Sequence, residues 1–350
     1  MKPPLRWGII GCGDVCEVKS GPALQKAEGS RLVSVCRRNG SLARDFAERH
    51  GVPRWTADPQ AVIDDPEVDI VYIATPPGSH RDYATRTAAA GKPCYVEKPM
   101  ARSAAECDAM TRAFDEADQP LFVAYYRRAL PRFVEIKRLL DAEALGTITA
   151  VSLRHTHSAP ARSESWRIDP AVSGGGLFLD VGSHALDLLD FLFGPLTDVQ
   201  GHAQRLAPSM PDAPPVEDRV AASFALPNRA PGTALWDFAA TTREEGIEIR
   251  GTRGTARVAV FSHCQLETQI DGQTTTTDYP DPPHVHQPLV QTLIDQLLHP
   301  GQSPPCPSTG ESAARTSQVM DRLLETYYAG RNDDFWNHPQ RWGNPVITPS

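Results

Sequence analysis

The 350-residue chain contains no apolar run near the roughly 20 residues that a membrane-spanning helix needs. Its first residues, Met1 to Arg6, lack the apolar core and small-residue cleavage site of a signal peptide, so a cytoplasmic protein is expected. Cys-x-x-Cys pairs are missing too. The seven cysteines are scattered and odd in number, which excludes a disulfide framework and predicts reduced thiols. Nor is there an excess of positive charge: 35 basic against 43 acidic side chains give a net charge of -8. Such a chain has no electrostatic reason to bind nucleic acid or an anionic membrane. An anionic ligand must find a local basic site instead.

What is present is a rhythm. Over the first 125 residues, short apolar runs at 7–11, 32–36, 70–74, 94–96 and 121–124 alternate with helical patterns at 15–28, 41–50, 80–90 and 103–118. Near-continuous apolar strands separated by helices predict a doubly wound parallel sheet of Rossmann type, in the α/β class. The second half reads differently. After a helical stretch at 131–142, strands are expected at 148–155, 197–205, 219–226, 233–240, 246–250, 255–260 and 266–270, with few helices between them. That predicts a large open, mostly antiparallel sheet. A helix is expected over 177–193, and others at 287–299 and 311–329. Residues 274–277, a threonine run, read as an edge strand or turn. The division expected is a nucleotide-binding domain at 1–125, a substrate-binding and dimerisation domain at 126–330, and a tail at 331–350. A proline-rich loop is expected at 208–215.

The first strand runs into Gly11-Cys12-Gly13-Asp14-Val15-Cys16. This has the first two glycines of a G-x-G-x-x-G dinucleotide turn: Gly11 for the tight turn, Gly13 for close approach of a pyrophosphate. Cys16 fills the third place, where a small side chain suffices. The second strand ends in Arg37-Arg38, where an NAD enzyme usually offers a carboxylate to the ribose hydroxyls. A guanidinium pairs with a 2′-phosphate that a carboxylate would repel, so NADP is expected over NAD. Thr75-Pro76-Pro77 and His80 follow the run at 70–74, at the carboxyl edge where ligands bind in this architecture. Glu97-Lys98-Pro99 closes the next strand and pins a lysine at the same edge.

Further along, Gly174-Gly175-Gly176 precedes Asp180 and His184. The glycines are read as letting backbone approach a ligand closely. Asp180 and His184, four apart, would share one helix face, a carboxylate and an imidazole suited to alcohol binding and proton transfer. Alternating His155 and His157 would face one way on a strand, but with no third ligand at motif spacing no metal site is expected. His157 is read instead as a substrate-pocket residue, and the pair His284 and His286 is set aside with it. Tyr126 and its neighbours at the domain junction are further candidates for substrate contact.

In their order and spacing these motifs, with Arg128, Pro131, Trp166 and Arg167, resemble the Gfo/Idh/MocA oxidoreductase family over nearly the whole chain. The resemblance implies Lys98, Asp180 and His184 as catalytic residues lining one cleft, with Trp166 beside the substrate and Arg167 reaching cofactor or substrate. It also implies a homodimer or dimer of dimers made through the open sheet. The expected function is an NADP-dependent oxidoreductase moving a hydride between nicotinamide and a sugar-like or cyclitol-like alcohol or ketone, with a polyhydroxylated small molecule as substrate. Two other readings use the same fold: a glycoside hydrolase or epimerase-like enzyme that oxidises its substrate transiently on a retained nucleotide, and a nucleotide-sensing regulatory protein.

Overall fold

The computed structural model describes residues 1, 3–158, 166–205, 216–328, 331 and 335–337. The proline-rich loop at 208–215 and most of the expected tail lie outside these residues. The chain divides into two compact units. One comprises Met1–Ala101, Ala105–Leu130 and Asp281–Ala314; the other comprises Arg102–Ala104, Pro131–Pro280 and Arg315–Ser350. A division of the sequence at residue 125 would give segment 281–314 to the second part, whereas its contacts are with the first.

The first unit is built on six strands: β1 Leu5–Ile10, β2 Ser30–Cys36, β3 Arg54–Thr56, β4 Ile70–Ile73, β5 Cys94–Val96 and β6 Leu121–Val123. They pair in parallel in the order β3-β2-β1-β4-β5-β6. This is the doubly wound order, and it reverses between β1 and β4. Strands β4 and β5 are buried along their whole length, as expected of a sheet covered on both faces. Trp7, Tyr72 and Tyr95 fill one layer, with Tyr72 and Tyr95 stacked at 5.0 Å and Trp7 edge-on to Tyr95 at 6.2 Å.

Two details depart from the sequence reading. The expected helix over 15–28 is two, Asp14–Val18 and Ser20–Lys26. Pro22 has no amide to give Val18, so the helical ladder breaks there. Gly21 lets the second helix close tightly on the first: a Cβ on it would stand 2.2 Å from the Cys16 carbonyl oxygen. In addition, β3 and the short helix Pro59–Ile63 fall where periodicity gave no signal.

The second unit carries β7 Ile148–Ser158, β8 Thr197–Gln204, β9 Arg219–Ala225, β10 Pro231–Asp237, β11 Ala239–Gly251, β12 Gly254–Val258, β13 Gln265–Ile270 and β14 Gln273–Asp278. They form an eight-stranded sheet in the order β14-β13-β12-β11-β7-β10-β9-β8. Strand β10 runs parallel to β7 and the other neighbours pair antiparallel. Burial alternates along β9 and β10, so one face of the sheet is core. The threonine run lies in β14, an exposed edge strand. Helix Ser183–Phe193 is buried almost throughout. The expected helix over 177–193 begins differently, with a π-turn at Phe178–Gly182 before the α-helix takes over. No described helix is long and apolar enough to cross a membrane.

Candidate active site

In the first unit, the sequence motifs converge on the carboxyl edge of the parallel sheet. Gly11 follows β1 at the switch point with φ +93, a conformation that favours glycine. A Cβ there would stand 2.7 Å from Thr75 Cγ2 and 3.0 Å from the Ala74 carbonyl carbon, so Gly11 is needed for the loop after β4 to close against the loop after β1. The amides of Gly11 and Cys12 both donate to the Cys36 carbonyl, at 2.8 and 3.1 Å, which ties the glycine turn to the end of β2. Arg37, the next residue, extends its guanidinium back to the Cys12 carbonyl at 3.5 Å. Arg38 is exposed, and Asn39 caps the following helix by accepting from the amides of Ser41 and Leu42.

Gly13 differs from Gly11. Its φ of -104 suits any residue, and the nearest atom to a Cβ built on it is the Gly11 carbonyl oxygen at 3.9 Å. Protein packing therefore does not demand glycine at 13. The space above it is open, as a pyrophosphate lying on this backbone would require. Asp14 is exposed and Val15 half-buried on the same turn. Cys16 is fully buried, its Sγ 3.8 Å from the Gly11 carbonyl, and burial pushes its thiol pKa far up. Burial raises Cys12 to about 11. Both are protonated packing residues.

The loop after β4 is organised by its own short bonds. Ser79 Oγ donates to Thr75 Oγ1 at 2.8 Å, and Pro77 is buried while Thr75 and Pro76 are half-buried. His80 has no exposed surface. Its Nε2 lies 2.6 Å from the Thr75 carbonyl, and its Nδ1 lies 3.2 and 3.1 Å from the carbonyls of Pro99 and Met100. Burial lowers its pKa, and the three carbonyls, which can only accept from the ring, offset part of that. His80 thus joins the loop after β4 to the loop after β5 rather than facing outward.

Glu97 is likewise turned inward. Its Oε1 accepts from Tyr72 OH at 2.6 Å, and its Oε2 accepts from the backbone amide of Lys98 at 3.1 Å. Burial raises the Glu97 pKa, and the neighbouring Lys98 charge offsets part of that. Lys98 itself is half-buried at the sheet edge. Beneath it lies a residue that sequence reasoning set aside, His286. It stacks on Tyr126 at 4.6 Å, sits 3.2 Å by Nδ1 from Tyr95 OH, and has Nε2 3.8 Å from Glu97 Oε1. Burial, with the charges of Lys19, Lys98 and Arg127, lowers its pKa to about 3. The Arg127 guanidinium also lies against the Tyr126 ring, 4.8 Å from its centroid.

In the second unit, Trp166 and Arg167 form a one-turn 3-10 helix, Trp166–Ile168, with the guanidinium 4.5 Å from the Trp166 ring. Arg167 Nε donates to Asp180 Oδ2 at 3.0 Å. Asp180 lies in the π-turn and His184 is the second residue of the α-helix after it, so the pair straddles two kinds of turn instead of one regular helix face. π-turns of this kind recur at functional sites. His184 is buried edge-on to Phe261 at 5.8 Å; His155 and His157 are 5.0 Å apart, and His155 also meets Phe261, at 5.1 Å. Among the described residues, no three His, Cys, Asp or Glu side chains group to hold a metal ion. The glycine run before Asp180 packs against protein. Gly174 has φ +90, with a built Cβ 2.6 Å from the Arg102 carbonyl oxygen, and one on Gly176 would lie 2.4 Å from the Glu217 carbonyl oxygen. Sequence reasoning gave those glycines to a ligand and overlooked Glu217, which no motif marks.

A doubly wound sheet with a glycine turn at its switch point, in a chain that also builds a large open sheet, defines a protein of the Rossmann class. Residues 5–125 match the oxidoreductase family with an NAD-binding Rossmann fold, and residues 133–257 match the GFO/IDH/MocA C-terminal domain. The chain belongs to the Gfo/Idh/MocA oxidoreductase family. It is 35% identical over 332 residues to Oxidoreductase P35 of Formosa agariphila, covering 93% of this chain and 100% of that protein. It is 27% identical over 286 residues to trans-1,2-dihydrobenzene-1,2-diol dehydrogenase of Danio rerio, covering 81% and 82%. The fold is shared with levoglucosan dehydrogenase in complex with NADH and levoglucosan, at a TM-score of 0.81 and 24% identity over 92% of this chain and 96% of that one.

The buried neutral His286 makes a pH prediction. In the unfolded chain a histidine takes up a proton below about pH 6.5; in the fold this one resists until about 3. The folded state binds fewer protons between those values, so this contribution to stability is full above 6.5 and falls as pH drops. Glu97 beside it, raised by burial, acts in the opposite sense, so the comparison must be with a variant. Between pH 7 and 5, wild type is expected to lose up to about 2 kcal/mol more than His286→Gln in urea unfolding. Equal losses would show that His286 is not held neutral.

Proposed function

We propose that the chain is an NADP-dependent oxidoreductase that moves a hydride between nicotinamide and a ring alcohol or ketone of a polyhydroxylated, sugar-like or cyclitol-like compound. The observation that carries the cofactor choice is the Arg37 guanidinium beside the glycine turn, 3.5 Å from the Cys12 carbonyl, with Arg38 exposed next to it. Two guanidiniums at the end of β2 favour a 2′-phosphate. In this reading Gly11, Gly13, Asp14 and Val15 carry the pyrophosphate, and Thr75, Pro76 and Pro77 border the nicotinamide ribose. His80 and Glu97 serve from behind by fixing the loops after β4 and β5. The substrate class is supported by sequence relatives named for levoglucosan and for a dihydrodiol, compounds with ring hydroxyls.

The bound nicotinamide supplies the hydride donor or acceptor. Lys98 hydrogen-bonds the reacting oxygen and stabilises charge on it. His184 exchanges its proton with that oxygen, and Asp180, oriented by Arg167, holds a neighbouring hydroxyl. Tyr126, His157 and Trp166 border the substrate. Residues 1–125 form the nucleotide domain and 126–330 the substrate domain, with 281–314 packed into the nucleotide unit. The open sheet is assigned to a homodimer or dimer of dimers. The described cysteines are all unbridged, which fits a cytoplasmic protein.

Fluorescence titration with NADPH and NADH side by side tests the cofactor. A preference for NADPH of at least about tenfold is expected, and Arg37→Ala with Arg38→Ala should abolish it by removing pairs worth ~1.5–3 kcal/mol. A preference for NADH overturns the assignment, and nucleotide that stays bound through desalting shifts weight to transient oxidation. Turnover is then screened with levoglucosan, D-glucose and scyllo-inositol. Lys98→Ala is expected to lower kcat by roughly 10²–10⁴-fold while NADPH binding persists. Turnover near wild type in that variant contradicts the role of Lys98.

A further inference from the structure

The segment that carries Asp180 and His184 is anchored from behind by a buried carboxylate. Glu217 is 2% exposed. Both of its oxygens lie 2.9 Å from the Gly176 amide, and Tyr328 OH donates to Oε2. Gly176 in turn accepts from the Leu179 amide at 3.2 Å, the bond that leads into the π-turn Phe178–Gly182. Ser183 Oγ donates to the Asp180 carbonyl at 3.2 Å, and His184 follows. A second anchor holds the start of the run. Arg331 donates to the Gly174 carbonyl at 2.7 Å and pairs with Asp321, whose other oxygen accepts from the Ala104 amide at 2.8 Å.

A carboxylate this deeply buried is costly and gives little net stability over a well-packed apolar residue. What it does give is geometry. A Cβ on Gly176 would stand 2.4 Å from the Glu217 carbonyl oxygen and 3.0 Å from its Cδ and Oε2, so glycine is what lets the two backbones close and the carboxylate reach the Gly176 amide. Tyr328 and Arg331 come from the far end of the chain and close the same network.

We propose that Glu217 is a positioning residue: through Gly176 and the π-turn it sets where Asp180 and His184 stand, with Tyr328 holding its carboxylate. The inference rests on the proposed roles of Asp180 and His184, and its test separates the two. Glu217→Gln keeps shape and one acceptor oxygen, and Tyr328→Phe removes only the hydroxyl. Hydrogen–deuterium exchange of the full-length protein reads the anchor directly. Exchange over residues 174–184 should speed up about tenfold or more in Glu217→Gln, with the strands of the eight-stranded sheet unchanged. On whichever of levoglucosan, D-glucose or scyllo-inositol turns over best, kcat should fall about ten- to a hundredfold, as for a misplacement near 1 Å. KM should change less, and NADPH affinity should stay within about twofold. Tyr328→Phe should shift both readings in the same direction by less, and it carries the test if Glu217→Gln does not fold.

A folded Glu217→Gln with wild-type protection over 174–184 overturns the proposal. So does faster exchange there with kcat unchanged while Asp180→Asn and His184→Asn are slow. If instead Asp180→Asn and His184→Asn turn over like wild type, the proposed function of that pair fails, and exchange over 174–184 alone still decides whether Glu217 anchors it.

Discussion

Parallel strands cannot be joined by a tight turn, so each strand of such a sheet ends on the same edge, and the chain must cross back before starting the next. That constraint places the chemistry of the first unit. The glycine turn after β1, the arginine pair after β2, the Thr-Pro-Pro loop after β4 and the Glu-Lys-Pro loop after β5 come from distant parts of the sequence, yet all emerge together. The order β3-β2-β1-β4-β5-β6 then puts the loops after β1 and β4 side by side at the reversal. Gly11 packs so tightly on Thr75 there that a single methyl would not fit.

Behind that edge the molecule buries polar groups that a purely structural core would avoid. His80 bridges the carbonyls of Thr75 and Pro99; Glu97 is gripped by Tyr72 and by the amide of its own neighbour; His286 is wedged between Tyr95 and Tyr126. Each is charged only at a cost, and each holds backbone or a ring in one place. Glu217 does the same in the second unit for the glycine run. The shared logic is that the loops carrying Lys98, Asp180 and His184 are fixed from the inside by groups that themselves stay buried.

The α/β class, the parallel first sheet and the mostly antiparallel second were legible in the sequence, because strand burial leaves apolar runs or alternation that composition alone cannot hide. So was the glycine turn at the end of β1, since strand, glycines and helix follow one another locally. The misses have physical causes. The helix break at Lys19 depends on Pro22 and on the close approach at Gly21, a contact that periodicity does not see. Three residues suffice for β3 because it is an edge strand on a sheet already formed. The π-turn at Asp180 has the same apolar spacing as an α-helix and differs only in its backbone bonds. Glu217 and His286 act through partners more than 40 residues away, Gly176 for one and Tyr95 for the other, so no local motif could announce them. The glycine run was noticed correctly, but the space its missing Cβ atoms would take is filled by protein, Arg102 at Gly174 and Glu217 at Gly176.

The open backbone at the switch point is proposed as the nucleotide site, and Gly13 isolates it. Its conformation needs no glycine, and a methyl there meets no protein atom closer than 3.9 Å. The most direct measurement is therefore NADPH titration of Gly13→Ala alongside its thermal unfolding. The expected result is an unfolding midpoint like that of wild type and an affinity about five- to 150-fold weaker, as overpacking of about 1–3 kcal/mol against a bound pyrophosphate would give. An unchanged affinity with an unchanged midpoint would mean that the nucleotide does not lie on this turn.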